Sequence, residues 1–214
     1  MKNVLFFGDS NTWGYNPENG LRYPYELRWT SVAARELGEE YNCIPAGLNG
    51  RTTVFDDIYR PGLNGRKALD NELQSHKPLD LCVIMLGTND LKFGNAEQIT
   101  RGMGTLINMV KSANERYNFT SPVFPDGVKL LVVSPIFVHE KTENNPELDL
   151  MPMGHIESRR LKELYAALAE AQGVEFLAAS DYAQPCELDC QHMLPDGHEA
   201  LGGAMAQKIR EILA

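Results

Sequence analysis

Four short stretches carry residue types that could do chemistry together. The first is Gly8-Asp9-Ser10-Asn11-Thr12, which closes the apolar run 4–7 and offers a hydroxyl at the end of a predicted strand. A serine becomes a nucleophile when a neighbouring base takes its proton. The second supplies that base. Of the five histidines (76, 139, 155, 192 and 198), His192 alone has an aspartate three residues earlier. That spacing lets Asp189 hold Nδ1–H and leave Nε2 facing a hydroxyl. The third and fourth supply hydrogen-bond donors for a developing oxyanion. Gly50, in Asn49-Gly50-Arg51-Thr52, lets a backbone N–H approach a ligand closely. Asn89, in Gly87-Thr88-Asn89-Asp90, offers a side-chain amide, and the N–H of Ser10 makes a third donor. Each stretch has a plainer reading as well. Ser10 could cap a helix, Asn-Gly and Thr-Asn-Asp are good turn formers, and His192 could sit in a surface loop. His198, in Asp196-Gly197-His198, reads as the start of a last helix with Asp196 as its N-cap.

These residues need a scaffold that gathers them. Apolar runs at 4–7, 41–46, 81–86, 130–133 and 174–177 read as strands. The run 81–86 (Leu-Cys-Val-Ile-Met-Leu) is continuous, as in a strand covered on both faces. Helical periodicity lies between the runs. It appears at 30–37, at 97–117 (Ile99, Met103, Leu106, Ile107, Val110), at 156–171 (Ile156, Leu161, Leu164, Tyr165, Leu168) and at 196–213 (Leu201, Met205, Ile209, Ile212). Strands alternating with helices predict a parallel sheet with crossover connections. The expected fold is an α/β/α three-layer sandwich of about five parallel strands. Each candidate residue then follows a strand, at the sheet edge where such folds bind ligands. Three stretches, 14–28, 54–66 and 135–155, are rich in Gly and Pro and read as long loops. The first and third could wall a pocket. Trp13, Tyr15, Ile136 and Phe137 are the wall candidates, with core packing as the alternative for Trp13 and Phe137.

Composition narrows the class. The chain has 214 residues, 43% hydrophobic and 23% charged, which suits one domain spanning 1–214. A net charge of -9 argues against a nucleic-acid surface. No apolar stretch approaches the roughly 20 residues of a membrane span. The N-terminus runs straight into a strand without a leader-like segment, so a cytoplasmic protein is expected. Cys43 and Cys82 read as small core residues. Cys186 and Cys190, with His192 and His198, match no common zinc spacing, and neither a metal nor a cofactor is expected.

The four blocks, in this order, resemble the GDSL or SGNH hydrolase family. They are Gly8-Asp9-Ser10, Gly50 within Asn-Gly-Arg-Thr, Gly87-Thr88-Asn89-Asp90 and Asp189-Cys190-Gln191-His192, the last continuing Leu194-Pro195-Asp196-Gly197-His198. Within that family, Ser10-Asn11-Thr12-Trp13-Gly14, Arg28-Trp29-Thr30 and Leu86-Gly87-Thr88-Asn89-Asp90 are similar to the arylesterase/acyltransferase branch. The resemblance implies a flavodoxin-like sandwich. It implies Ser10 as nucleophile, His192 as base, Asp189 as its orienter, and Ser10, Gly50 and Asn89 as the oxyanion hole. It implies a small-molecule ester substrate and, for this branch, a homo-oligomer, with the stretch 147–153 as a candidate subunit contact. Loops 14–28 and 135–155 are the least family-like parts. Rival readings are a carbohydrate O-acetyl esterase on the same machinery, a phosphate- or nucleotide-binding domain of the same architecture, a metal-dependent hydrolase using Asp9, Asp189, His192 and His198, and a non-catalytic interaction protein. The phosphate reading lacks a G-x-G-x-x-G or Walker-type lysine motif. The chain also lacks the G-x-S-x-G elbow of α/β-hydrolases.

Overall fold

Alternation along each strand decides how this chain folds. In a parallel sheet covered on both faces, successive side chains enter opposite cores. In the computed structural model, which describes residues 1–116, 121–144, 151 and 153–214, Leu5 and Phe7, Cys82 and Ile84, and Leu130 and Val132 enter one core. Val4 and Phe6, Leu81 and Val83, and Leu131 and Val133 enter the other. The strands are β1 (Lys2–Gly8), β2 (Tyr41–Gly47), β3 (Leu81–Met85), β4 (Leu130–Ser134) and β5 (Glu175–Ala178). All pair in parallel, in the order β2-β1-β3-β4-β5. The parallel sheet is the one expected from the strand–helix alternation, and its order is the flavodoxin-like one that the family resemblance implied. β2 forms one edge, is only half buried, and carries Pro45, which an edge tolerates.

The helices are α1 (Ser10–Trp13), α2 (Trp29–Leu37), α3 (Gly65–His76), α4 (Ala96–Lys111), α5 (Ala113–Arg116), α6 (Gly154–Gln172) and α7 (Pro195–Ile212). α2 and α7 cover one face through Trp29, Ala33, Leu201, Met205 and Ile209. α3, α4 and α6 cover the other through Leu69, Leu73, Ile99, Met103, Leu106, Leu161 and Tyr165. The first turn of α4 is closed by a reciprocal cap, in which Asn95 accepts from the Gln98 N–H and Gln98 from the Asn95 N–H. Gly173, in the left-handed region, ends α6.

The departures from the sequence reading have local causes. α3 was not anticipated, because its apolar stripe is reduced to Leu69 and Leu73 among polar residues. The second long loop, 54–66, is therefore slightly shorter, and its end at Gly65 is a helix start. α7 begins at Pro195 with Leu194 before it, so Asp196 lies inside the first turn and does not cap it; its carboxylate instead accepts the Gly197 N–H. Cys43 is half buried rather than fully enclosed, since β2 is an edge. The suggested subunit contact at 147–153 lies largely outside the described residues. No described helix is long and apolar enough to cross a membrane.

Candidate active site

The order of the strands creates the site. Between β1 and β3 the winding of the sheet reverses, which opens a crevice at the carboxyl ends of the strands. Ser10 follows β1, and the segments bearing Gly50 and Asn89 follow β2 and β3, the two neighbours of β1.

Ser10 opens the single turn of α1. Asp9 caps that turn by accepting the Asn11 N–H at 3.1 Å, and Gly14, at φ 92°, ends it with its N–H on the Ser10 carbonyl. Gly47 lets α1 lie against the end of β2, since a Cβ there would stand 2.2 Å from the backbone nitrogen of Trp13. The Asp9 carboxyl is fully buried, and burial pushes its pKa up to about 6 against the pull of the Asn11 N–H, His192, Arg51 and Lys92.

His192 arrives from the far end of the chain. Its Nε2 lies 2.7 Å from Ser10 Oγ, and its Nδ1 lies 2.5 Å from Asp189 Oδ2. A carboxylate can only accept, so Nδ1 carries the proton and Nε2 is left to accept from the serine hydroxyl. Asp189 Oδ1 accepts from the backbone N–H groups of Gln191 and His192 at 3.2 and 3.1 Å. Burial opposes the Asp189 charge. The His192 hydrogen bond and charge and the two N–H groups outweigh it and hold the carboxyl below its usual range. Ser10 and His192 are 9% and 7% exposed, enough for a substrate to reach them but little for bulk water.

Asn11, which the sequence reading did not single out, ties this loop to the serine turn. Its amide donates to the Gln191 carbonyl at 3.0 Å, and its oxygen accepts the Met193 N–H at 3.2 Å, one bond on each side of His192. The loop is also braced from outside, by the His139 N–H on the Cys190 carbonyl and the Cys186 N–H on the His192 carbonyl, both 2.8 Å.

The two remaining candidate donors are linked through Arg51, which follows Gly50 and accepts from Asn89. Gly50 is buried and sits at φ 85°, a conformation that favours glycine. Asn89 opens a short 3₁₀ turn, Asn89–Lys92, and its Nδ2 donates to the Arg51 carbonyl at 3.2 Å. Arg51 is itself buried. Its guanidinium donates to the Gly8 carbonyl at 2.9 Å and to the Ala46 carbonyl, and lies over the Phe7 ring. It thereby ties the loop after β2 to the ends of β1 and β2. Asp90 joins the loops after β2 and β3, accepting both the N–H and the hydroxyl of Thr53. Burial raises its pKa to about 7.

The wall candidates divide. The Tyr15 ring packs on the His192 imidazole with centroids 4.3 Å apart. Trp13 is half buried under the Arg22 guanidinium. Ile136 is 2% exposed in the core under α2 and α7, so it has no surface to offer a ligand. Phe137 stacks against Arg159, in a surface depression with His139 and Glu187. Of the proposed metal set, His198 is fully buried and its Nδ1 accepts the Trp29 N–H at 3.2 Å. Among the described residues no group of three or more His, Cys, Asp or Glu is placed to hold a metal. A cavity of about 390 Å³ opens at the opposite end of the sheet from Ser10, lined by Lys111, Leu130 and Glu175.

A parallel sandwich with a serine, imidazole and carboxylate in series at its switch point defines a serine hydrolase of the esterase type. The chain belongs to the GDSL-like lipase/acylhydrolase family, whose model matches residues 6–201. Solved structures agree. Est24, a carbohydrate acetylesterase from Sinorhizobium meliloti, is 39% identical, with 99% of each chain covered and a TM-score of 0.91. The aryl esterase of M. smegmatis is 35% identical over 99% of this chain and all of that one, with a TM-score of 0.90. A lipase/acylhydrolase from Enterococcus faecalis, 20% identical with a TM-score of 0.69, shares the fold. A comparison with curated proteins found no match.

Proposed function

We propose that this enzyme cleaves small acyl esters of aryl or sugar alcohols through an acyl-enzyme on Ser10. The observation that carries the reading is the unbroken series Asp189–His192–Ser10, with contacts of 2.5 and 2.7 Å. His192 takes the Ser10 proton as Oγ attacks the ester carbonyl. Asp189 keeps the imidazole in the required tautomer and stabilises the imidazolium that forms. The tetrahedral oxyanion is received by the N–H groups of Ser10 and Gly50 and the Asn89 amide. His192 then protonates the departing alcohol, and water, or a second alcohol, repeats the attack on the acyl-enzyme. Tyr15 covers the imidazole and makes the near wall of the acyl site. The small acyl group is inferred from the acetylesterase and aryl esterase relatives, both similar over nearly their whole length.

Four free cysteines fit a reducing, cytoplasmic setting. The exposed side chains of Leu21, Tyr25, Ile58 and Tyr59 offer surface for self-association, which mass photometry would detect.

A fluorophosphonate probe tests the chemistry. Labelling should map to Ser10, vanish in His192→Ala, and parallel the loss of hydrolysis of p-nitrophenyl acetate. Labelling of another residue, or full esterase activity in Ser10→Ala, would overturn the assignment.

A further inference from the structure

An oxyanion donor works only if it is aimed before charge develops. A primary amide has two nearly equal ends, and a half-turn about its last bond would point oxygen, not N–H, at the oxyanion. Two contacts forbid that turn in Asn89. Lys92 Nζ lies 2.8 Å from Asn89 Oδ1, and Nδ2 lies 3.2 Å from the Arg51 carbonyl. An ammonium can only donate and a carbonyl can only accept. The two partners therefore demand the same orientation. One amide hydrogen goes to Arg51, next to Gly50, and the second is left for a ligand.

Lys92 reaches this position at a cost. Lysine side chains on a surface turn ordinarily extend into water. This one turns inward from the 3₁₀ turn Asn89–Lys92 and is half buried. Burial and the Arg60 guanidinium disfavour its charge, while Asp9, Asp57 and Asp90 face it and favour the charge. The ammonium also polarises the amide it touches, which makes the remaining N–H a stronger donor.

We infer that Lys92 is a positioning residue of the oxyanion hole, acting through Asn89: it fixes which end of the amide meets the oxyanion and strengthens that donor. The inference rests on the oxyanion role proposed above for Asn89. Because the oxyanion exists only after attack, Lys92 should affect turnover and not ground-state binding.

A double-mutant cycle on p-nitrophenyl acetate tests this. Lys92→Met should lower kcat about 10–100-fold, part of the 10²–10³ expected for losing the donor itself, with KM changed by less than about threefold. Lys92→Gln, whose amide can still donate to Asn89, should recover part of the loss. In an Asn89→Ala background, Lys92→Met should cost less than about twofold, because the group it acts through is gone. Equal losses in both backgrounds, or a loss confined to KM, would overturn the inference. Should Lys92→Met fail to fold, Lys92→Gln and Lys92→Arg complete the same cycle, Arg keeping the charge. If Asn89→Ala alone retains full kcat, the oxyanion assignment fails and Lys92 falls with it. If Asn89→Ala loses turnover and Lys92→Met does not, only the Lys92 inference fails.

Discussion

At the scale of single residues, the proposed triad is a series of contacts in which no member works without the next. Ser10→Ala and His192→Ala should each abolish nearly as much kcat as the pair together. Losses that multiply would show that the two act independently. Asn11 belongs to the same unit although it touches no reacting atom. It holds the backbone on both sides of His192, and each such hydrogen bond contributes about 0.5–1.5 kcal/mol. Asn11→Ala is expected to slow fluorophosphonate labelling about tenfold or more by loosening the imidazole, since small displacements of a reacting group are costly. A wild-type labelling rate in that variant would show that the loop keeps its place without Asn11. Ser10, Asp189, His192, Gly50 and Asn89 could be picked out as candidates in the sequence because their residue types and their places after strands fit one chemistry. Asn11 and Lys92 were not, because an asparagine and a lysine in turns have many ordinary uses. Nothing in their spacing tells which atoms they will meet.

At the scale of elements, the site is a set of strand ends held in mutual register. At Gly47 the turn that follows β1 lies close against the end of β2. Its added Cβ would stand 2.2 Å from Trp13 N and 2.6 Å from Thr12 C, backbone atoms that cannot swing aside. Gly47→Ala should therefore push α1 away from β2 and carry Ser10 with it. A displacement near 1 Å can cost about 10²-fold in rate. Turnover and probe labelling should fall together; a fully active Gly47→Ala would mean that α1 moves without disturbing the serine. The same register depends on Arg51, which spans the ends of β1 and β2, and on Asp90, which joins the loops after β2 and β3. The five strands and four of the helices were readable from periodicity. α3 was not, because two leucines make too narrow a stripe to stand out. Ile136 reads as a pocket residue when its loop is considered alone. In the folded chain it is drawn into the core that α2 and α7 build over the sheet.

At the scale of the whole molecule, two cores on either side of one sheet set the stability. His198 joins α7 to α2 inside one of them, accepting the Trp29 N–H while lying against the edge of the Tyr23 ring. Burial, with a smaller contribution from the His192 charge, lowers its pKa from 6.5 to about 4. The folded state thus resists a proton that the unfolded chain accepts. The stability this neutral imidazole contributes is complete above pH 6.5 and is lost as pH falls toward 4, on the order of 3 kcal/mol in all. Asp9 and Asp90 act in the opposite sense, since burial raises their pKa values and acid relieves that cost. The comparison of His198→Asn with the parent isolates the histidine, because asparagine can accept the Trp29 N–H without titrating. The variant should lose less Tm than the parent between pH 7 and pH 4. Equal losses would place the acid sensitivity elsewhere.

The order of the strands and helices, the two-sided burial of the sheet and the residue types able to perform acyl transfer all follow from local patterns, because periodicity and turn chemistry act over a few neighbouring residues. Convergence does not. His192 meets Ser10 across 182 positions of chain, and the Asn89 amide is oriented by a carbonyl 38 positions earlier. Such pairings depend on which strand lies beside which and how far each loop extends past its strand. Those quantities exist once both cores have packed and the sheet has taken its order.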